Sequence, residues 1–254
     1  MRYLAKAKLL KQKAELNFAK CAVKLGQPEG ENLIIEFARK NQPDPIANEA
    51  LLNIANFYFN DKKFDKAMIL YASIDTYALP SNQRSEVVFK IAYLNFIKKK
   101  FSLAKSQFRS IKDIQNDYYY PANYYYGMCN FFIKKYADAI SSFQKASGSK
   151  RYKPYVPYYI TSIYFAERDF SKVINYGVSK TEDRKVKNQA DINRLVGRAY
   201  FEEGEFSMAK KYLEFASKRV KKMDASDYYQ LGFVQYQSNE YTKAIKNFKK
   251  LHQL

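Results

Sequence analysis

One short phrase recurs six times along the chain: an aromatic residue, two variable residues, and then Ala or, once, Val. The phrases begin at Phe64, Phe101, Tyr136, Phe170, Phe206 and Tyr241. Successive phrases start 37, 35, 34, 36 and 35 residues apart. A fixed period of this length is typical of chains built from small units that bury their apolar faces against neighbouring units.

Two further positions keep the same register. Nine residues before each aromatic lies a small residue: Ala55, Ala92, Gly127, Thr161, Gly197 and Gly232. Four residues after the Ala lies a large apolar residue in five units: Tyr71, Phe108, Phe143, Leu213 and Phe248. Steps of three, four and seven residues indicate helices. Each unit is therefore predicted to be a helix pair, in which the small residue lets the two helices approach closely.

The fourth unit departs from this pattern, because Gly177 and Lys180 occupy the apolar positions of its second helix. The sequence therefore predicts that this helix, about residues 170–178, is short or bent.

Residues 1–45 follow the pattern only loosely. Helical stretches at 11–25 and 31–40 are separated by a Gln-Pro-Glu-Gly break and followed by Pro43 and Pro45, as expected near helix ends. We predict a degenerate helix pair over 1–45 and one continuous array of six units after it. Phe248 and Leu251 still need a covering helix, so the natural chain is expected to continue. The six units are predicted at about 46–80, 81–116, 117–151, 152–184, 185–222 and 223–254.

The phrase, its period and the small residue in fixed register resemble tetratricopeptide repeat proteins over the whole chain. The resemblance implies an all-α fold, a right-handed superhelical solenoid of antiparallel helix pairs. Phrases over 37–43, 111–126 and 156–160 further resemble long bacterial envelope proteins of this class. That narrower resemblance implies a periplasmic or envelope location and a role in envelope or secretion assemblies, with a cytoplasmic location as the alternative.

In such a solenoid the first helix of each pair lines the concave face. The inward positions lie three before, one after and four after the small residue. An aromatic occupies the last of these in all six units. A single ring at these positions can instead pack between neighbouring first helices, but the set predicts a partly open aromatic groove that binds a helix or an extended segment. The aromatic residues predicted to bind are Phe59, Tyr93, Phe96, Tyr124, Phe131, Tyr158, Phe165, Phe201, Tyr229, Phe233 and Tyr236.

Arg194 and Arg198 occupy two of the same positions in the fifth unit. They are one helical turn apart, so they could hold a carboxylate or phosphate group together. The alternative is that they form ion pairs with Asp191 and Glu202.

Basic residues exceed acidic ones by 44 to 25, a formal net charge of +19. Many stand in the predicted turns within the first three pairs, which stacking would align as a basic ridge: Lys62, Lys63, Lys98, Lys99, Lys100, Lys134 and Lys135. Such a charge favours anionic partners, while the alternative is that it only keeps the surface solvated.

The chemistry-bearing residues do not form an enzyme site. The single histidine, His252, lies near the end and has no nucleophile partner. No glycine-rich phosphate loop occurs, and no metal-ligand spacing or cofactor motif is found. Cys21 and Cys129 lie in apolar helical stretches and are predicted to be core residues. No apolar run is long enough to cross a membrane.

The sequence therefore predicts a non-catalytic scaffold, without a cofactor or a small-molecule substrate, that binds one or more protein partners, some of them acidic. The alternative is binding of nucleic acid or another anionic surface through the basic ridge. Aromatics interleaved with cations, as single-strand recognition requires, are not found on one surface, so the scaffold interpretation is preferred. The partner's identity and the oligomeric state are not predicted.

Overall fold

A computed structural model describes residues 2–42 and 44–253, with side chains from residue 6 onward, and within these ranges all regular secondary structure is helical. Pro43, part of the predicted helix-end punctuation, lies outside the described residues. A short 3-10 helix spans Thr76–Ala78. The α-helices are α1 (Arg2–Lys24), α2 (Gly30–Asn41), α3 (Pro45–Asn60), α4 (Phe64–Ala72), α5 (Ser81–Ile97), α6 (Phe101–Arg109), α7 (Tyr119–Phe132), α8 (Tyr136–Ala146), α9 (Val156–Ala166), α10 (Phe170–Thr181), α11 (Gln189–Glu202), α12 (Phe206–Ser217), α13 (Ala225–Gln237) and α14 (Tyr241–His252).

The helices follow one another as pairs, and the second helix of every repeated pair begins at the aromatic residue of the recurring phrase. This agrees with the predicted all-α architecture of helix pairs. The chain forms two compact units, an N-terminal unit of residues 1–125 and a C-terminal unit of residues 126–254. The single continuous array stays a prediction.

The N-terminal pair is longer than its sequence pattern indicates. Helix α1 starts at Arg2 rather than near residue 11, and its residues 6–11 are all exposed. Its second half packs against α2, where Leu16, Val23 and Ile34 are buried. The apolar pattern detected only this paired half, because the exposed half has no core to face.

The small residue of the register acts as predicted. A Cβ added to Gly127 in α7 would lie 2.9 Å from the ring of Phe143 in α8, and one added to Gly232 would lie 2.7 Å from the ring of Phe248. Phe143 is fully buried. The side chain four residues after the phrase's Ala therefore fills the space that the small residue leaves.

The second helix of the fourth pair is not short, which contradicts one of the two predicted alternatives. Helix α10 is 12 residues long, whereas α4 and α6 are 9 residues long. A Cβ on Gly177 would meet Val196 of α11 at 2.6 Å. The next pair thus supplies the side chain that Gly177 lacks, and the helix continues through it.

The cysteine prediction is half wrong. Cys129 is buried, but Cys21 is exposed on α1. Position 21 lies next to the buried Ala22 and Val23, and a step of one residue on a helix is enough to leave the apolar face.

All six turns within the repeated pairs have the same backbone. Each has three residues, and the middle one has a positive φ between 58° and 79°. The third residue donates its N–H to a carbonyl five residues back, as in Lys63 N to Tyr58 O at 2.9 Å and Glu205 N to Tyr200 O at 2.9 Å. This pattern caps the first helix and sends the chain back along it. The middle residues are Lys62, Lys99, Lys134, Arg168, Gly204 and Asn239.

These turns predict opposite effects of two substitutions. Gly204→Ala should lower the free energy of unfolding by about 1 kcal/mol, because an L side chain is strained at positive φ although space around the new Cβ is open. Lys99→Gly should raise stability by up to about 1 kcal/mol by removing such strain. Urea unfolding followed by circular dichroism measures both.

Glu203→Ala is the control, since Glu203 is exposed in the same turn with a φ of −81°. We expect it to remain within about 0.5 kcal/mol of the wild type. Equal stabilities of the Gly204→Ala and Glu203→Ala variants would contradict the strain argument.

Candidate functional site

The predicted groove residues all lie on the first helices of their pairs, and none of them is fully buried. Tyr229 and Tyr236 are the most open, with 48% and 54% of their surface exposed. Residues three, four and seven apart on a helix share one face, which explains why the set projects together from each helix. The partly exposed ones are Phe59, Tyr93, Phe96, Tyr124, Phe131, Tyr158, Phe165, Arg194, Arg198, Phe201 and Phe233.

The aromatic four residues after the small one has the same contact in every pair. It meets the aromatic that opens the second helix, with ring centroids 5.5–6.5 Å apart. These rings therefore hold the two helices of a pair together across the turn, and each ring remains partly exposed. The same ring thus packs within the protein and contributes to the partly open aromatic face. The contacts are Phe59–Phe64, Phe96–Phe101, Phe131–Tyr136, Phe165–Phe170, Phe201–Phe206 and Tyr236–Tyr241.

In the N-terminal unit the rings connect successive first helices. Phe59 of α3 and Tyr93 of α5 have centroids 5.9 Å apart. Tyr93 and Phe96 each lie 5.2 Å from Tyr125 of α7. Tyr124, the residue predicted at this place, packs edge-to-face on Tyr125 at 5.3 Å. The connection from α5 to α7 therefore depends on Tyr125, which sequence reasoning missed.

In the C-terminal unit two clusters are present. Phe131 of α7 contacts Tyr159 of α9 at 5.5 Å, and Tyr158 packs beside Tyr159 at 5.3 Å. Further along, Phe201 of α11 contacts Phe233 of α13 at 5.5 Å, with Tyr229 at 6.3 Å. The rings here again bridge neighbouring first helices.

Tyr125 and Tyr159 share one register position, two residues before the small residue. Tyr125 stacks on Phe108 at 5.8 Å and 18°, and Tyr159 stacks on Phe143 at 5.3 Å and 17°. Both contacts join a first helix to the second helix of the preceding pair. The sequence signal that could have predicted both contacts is the tyrosine two residues before the small residue in two successive units.

Lys90 occupies that register position in the second repeated pair. Its Nζ donates to Asn56 Oδ1 and Glu86 Oε1, each at 2.7 Å, and lies 5.3 Å from the centroid of Phe59. Tyr71 also donates its hydroxyl to Asn56 Oδ1 at 2.6 Å. A polar cluster thus replaces the ring stack, and the charge of Lys90 is neutralised beside the aromatic face.

The two arginines of the fifth pair form ion pairs within the chain. Arg198 donates to Asp224 Oδ1 and Asp227 Oδ1, both at 2.6 Å. Arg194 donates to Asp191 at 3.0 Å and lies 3.6 Å from Asp227. Asp227 is only 2% exposed. The arginines therefore bind α13 to α11, and binding of an external carboxylate or phosphate by them stays a prediction.

The predicted ion-pair alternative was right for Asp191 and wrong for Glu202. Glu202 accepts from Gln230 Nε2 at 3.4 Å instead. Asp224 and Asp227 lie 26 and 29 residues beyond Arg198, in the next helix pair. Spacing within one helix predicts only partners three or four residues away, so it could not identify these two aspartates.

The lysines of the predicted basic ridge are exposed at the turns of their units. In the N-terminal unit, Lys63 pairs with Asp61 at 2.7 Å and Lys98 pairs with Asp65 at 2.6 Å. The hydrogen bond from Lys98 lowers the pKa of Asp65. These two partners offset part of the turn charge around Lys62, Lys99 and Lys100, while Lys134 and Lys135 belong to the C-terminal unit.

In the described part of the chain, no group of three or more His, Cys, Asp or Glu side chains is placed to hold a metal ion. No helix among residues 2–42 and 44–253 has the length and hydropathy needed to cross a bilayer.

The ion pair of Asp224 predicts a pH-dependent stability. Burial alone would raise the pKa of Asp224, but hydrogen bonds from Arg198 and from the Asp227 backbone lower it below the ordinary value of 3.8. A lowered folded-state pKa stabilises the fold above the unfolded-state pKa and stops doing so as the pH falls through the folded-state value.

Asp224→Asn keeps an acceptor for the helix cap and removes the charge. At neutral pH it should lower stability by about 0.5–1 kcal/mol, a modest loss because the carboxyl is largely exposed. The difference from the wild type should shrink between about pH 5 and pH 1. Urea unfolding across that range measures it, and a difference independent of pH would contradict the assignment.

Similarity to known proteins is found in solved structures. No protein-family model matches the sequence, and no curated protein matches it. A tetratricopeptide repeat protein from Parabacteroides merdae matches with a TM-score of 0.53 and 17% identity, over 95% of this chain and 92% of that chain. PilF from Pseudomonas aeruginosa matches with a TM-score of 0.60 and 14% identity, over 81% and 90%.

YrrB, described as a tetratricopeptide repeat protein with an unusual peptide-binding site, matches with a TM-score of 0.55 and 15% identity, over 85% of this chain and 97% of that chain. Likeness at these identities establishes the fold. The chain has the fold of the tetratricopeptide repeat proteins.

Proposed function

We propose that this protein is a non-catalytic scaffold that binds a protein partner, as a helix or an extended segment, along the aromatic face of its first helices. The observation that carries the proposal is the partial exposure of every predicted aromatic on that face. The second helix of each pair already holds these rings in place. They therefore lose little conformational entropy when a ligand covers their exposed surface.

The remaining chemistry supports binding over catalysis. His252 lies in the last turn of α14, and no hydrogen bond from it to a nucleophile is found among the described residues. The two arginines on that face are neutralised by Asp191, Asp224 and Asp227. The face therefore offers apolar rings with hydroxyl groups at their rim, a composition that suits a peptide or helix more than a charged metabolite.

The comparison with YrrB adds a parallel, because that protein of the same fold is described as having a peptide-binding site. An envelope or secretion assembly, implied by the sequence resemblance, stays a prediction. Binding of nucleic acid through the basic ridge is the second candidate that the sequence left open. The ion pairs of Lys63 and Lys98 weaken it, since paired lysines have less charge to offer.

Photo-crosslinking tests the face directly. A benzophenone amino acid in place of Tyr236 should crosslink one specific partner in extracts of the native host, because more than half of that side chain is in solvent. The same probe in place of Tyr77, which is 87% exposed in the short 3-10 helix after α4 and off the predicted face, is the matched control.

Binding of the identified partner should then fall at least about tenfold in Tyr229→Ser with Tyr236→Ser, as expected for aromatic anchors. Tyr77→Ser should bind like the wild type, and circular dichroism should show unchanged helicity in all variants. Equal crosslinking from positions 77 and 236, or normal binding by the double variant, would refute the aromatic face as the docking site.

A further inference from the structure

The C-terminal unit concentrates unpaired positive charge on the edge formed by the loops that join one helix pair to the next. These are the loops α8–α9, α10–α11 and α12–α13, which hold ten basic and three acidic residues. All ten basic side chains are exposed, and within the described ranges none of them forms an ion pair. They are Lys150, Arg151, Lys153, Arg184, Lys185, Lys187, Lys218, Arg219, Lys221 and Lys222.

The loops lie side by side because consecutive helices are antiparallel. A backbone hydrogen bond from Lys187 N to Pro154 O, at 2.8 Å, joins the α10–α11 loop to the α8–α9 loop. The opposite edge of the same unit, made of the turns within pairs, holds five acidic and three basic residues. The positive charge is therefore concentrated on one edge of the unit.

A cavity opens on this basic edge between α8, α9 and α10. Its volume is about 340 Å³, at the lower end of ligand cavities, ~300–1,000 Å³. Aliphatic side chains form much of its lining, including Val156, Ile160 and Val186, which are at most 7% exposed. Tyr164 and Tyr176 add two rings, 5.9 Å apart and edge-to-face.

Two lysines from different elements line the same cavity. Lys153 comes from the α8–α9 loop, and Lys180 comes from the last turn of α10. The ammonium of Lys180 lies 5.3 Å from the centroid of Tyr176, which holds it beside the ring. The cavity thus combines an apolar interior with two cations, and further cations continue along the loops on either side.

We propose that this cavity and its basic edge form a second binding site, separate from the aromatic face, for an acidic peptide segment that inserts one apolar side chain. Carboxylates on the peptide would lie against Lys153, Lys180 and the neighbouring loop cations. The central apolar side chain would occupy the space above Val156, Ile160 and Tyr176. Complementary charge guides the encounter and fixes the register, while the buried side chain supplies affinity.

The lining favours a peptide over a nucleic acid. Val156, Pro157, Ile160 and Val186 form an apolar interior that matches an aliphatic side chain, although Gln144 and Ser147 also line the cavity. The carboxylate of Asp183 also lines the cavity and would repel a phosphate placed beside it. An extended peptide can place its carboxylates beside the lysines and away from Asp183.

Fluorescence anisotropy with two labelled probes tests the proposal on the whole chain. One probe is a short polyglutamate peptide with a central leucine, and the other has glycine at the centre. The leucine peptide should bind the wild type at least about tenfold more tightly than the glycine peptide, because only the leucine side chain moves apolar surface from water into the cavity. Lys153→Glu with Lys180→Glu should weaken the leucine peptide at least about tenfold.

Lys246→Glu with Lys249→Glu makes the same change of charge on α14 of the same unit, outside the three basic loops and the predicted basic ridge, and is the matched control. It should retain affinity within about twofold, as expected for charges far from the ligand in physiological salt. All four lysines are at least partly exposed, so the folds should survive, which circular dichroism checks.

Several results would overturn the inference: no binding of the leucine peptide, equal binding of the glycine peptide, or equal weakening by the two lysine pairs. Tighter binding of a labelled single-stranded oligonucleotide, lost in Lys153→Glu with Lys180→Glu, would assign the edge to nucleic acid instead. The aromatic-face variant, Tyr229→Ser with Tyr236→Ser, should bind the leucine peptide like the wild type, so that failure of one site is distinguishable from failure of the other.

Discussion

The packing of one helix pair on the next depends on a large side chain in the second helix that is enclosed from two directions, as Phe143 of α8 shows. Phe143 lies against Gly127 of its own first helix, where an added Cβ would come within 2.9 Å of its ring. On its other side Tyr159 of the next pair stacks on it at 5.3 Å. Phe143 is consequently 0% exposed, and truncation of such a ring typically costs 3–5 kcal/mol. Because the same ring closes the pair and joins it to the next, a pair has no complete core by itself.

This arrangement also explains why the candidate site lies where it does. With the large side chains of the second helices enclosed, the first helices are left with rings that no neighbour fully covers. Phe201 illustrates this, since it contacts Phe206 of its own pair and Phe233 of the next and still remains partly exposed. The aromatic face is thus built by the same contacts that hold the pairs together.

Much of this was predictable from the sequence because it depends on residues at fixed spacing. The register placed the helix pairs, the close approach at Gly127 and the partly exposed rings without any long-range information. What it missed depends on contacts between units or on backbone geometry. Arg198 finds its partners 26 and 29 residues away, and Lys99 has the left-handed backbone that sequence patterns associate with Gly.

The helix dipole alone does not explain the basic edge of the C-terminal unit. Cations such as Lys218 at the end of α12 are favoured there by the helix dipole. Each loop, however, also leads into the N-terminus of the next first helix, where the dipole favours acids, as Asp224 shows at the start of α13. One N-terminus and one C-terminus per pair meet at each edge, so the dipoles largely offset each other. They cannot by themselves account for ten cations on one edge and an acidic excess on the other. The difference in charge between the two edges therefore comes from the choice of side chains. Cations that form no ion pair within the fold are available to an anionic partner.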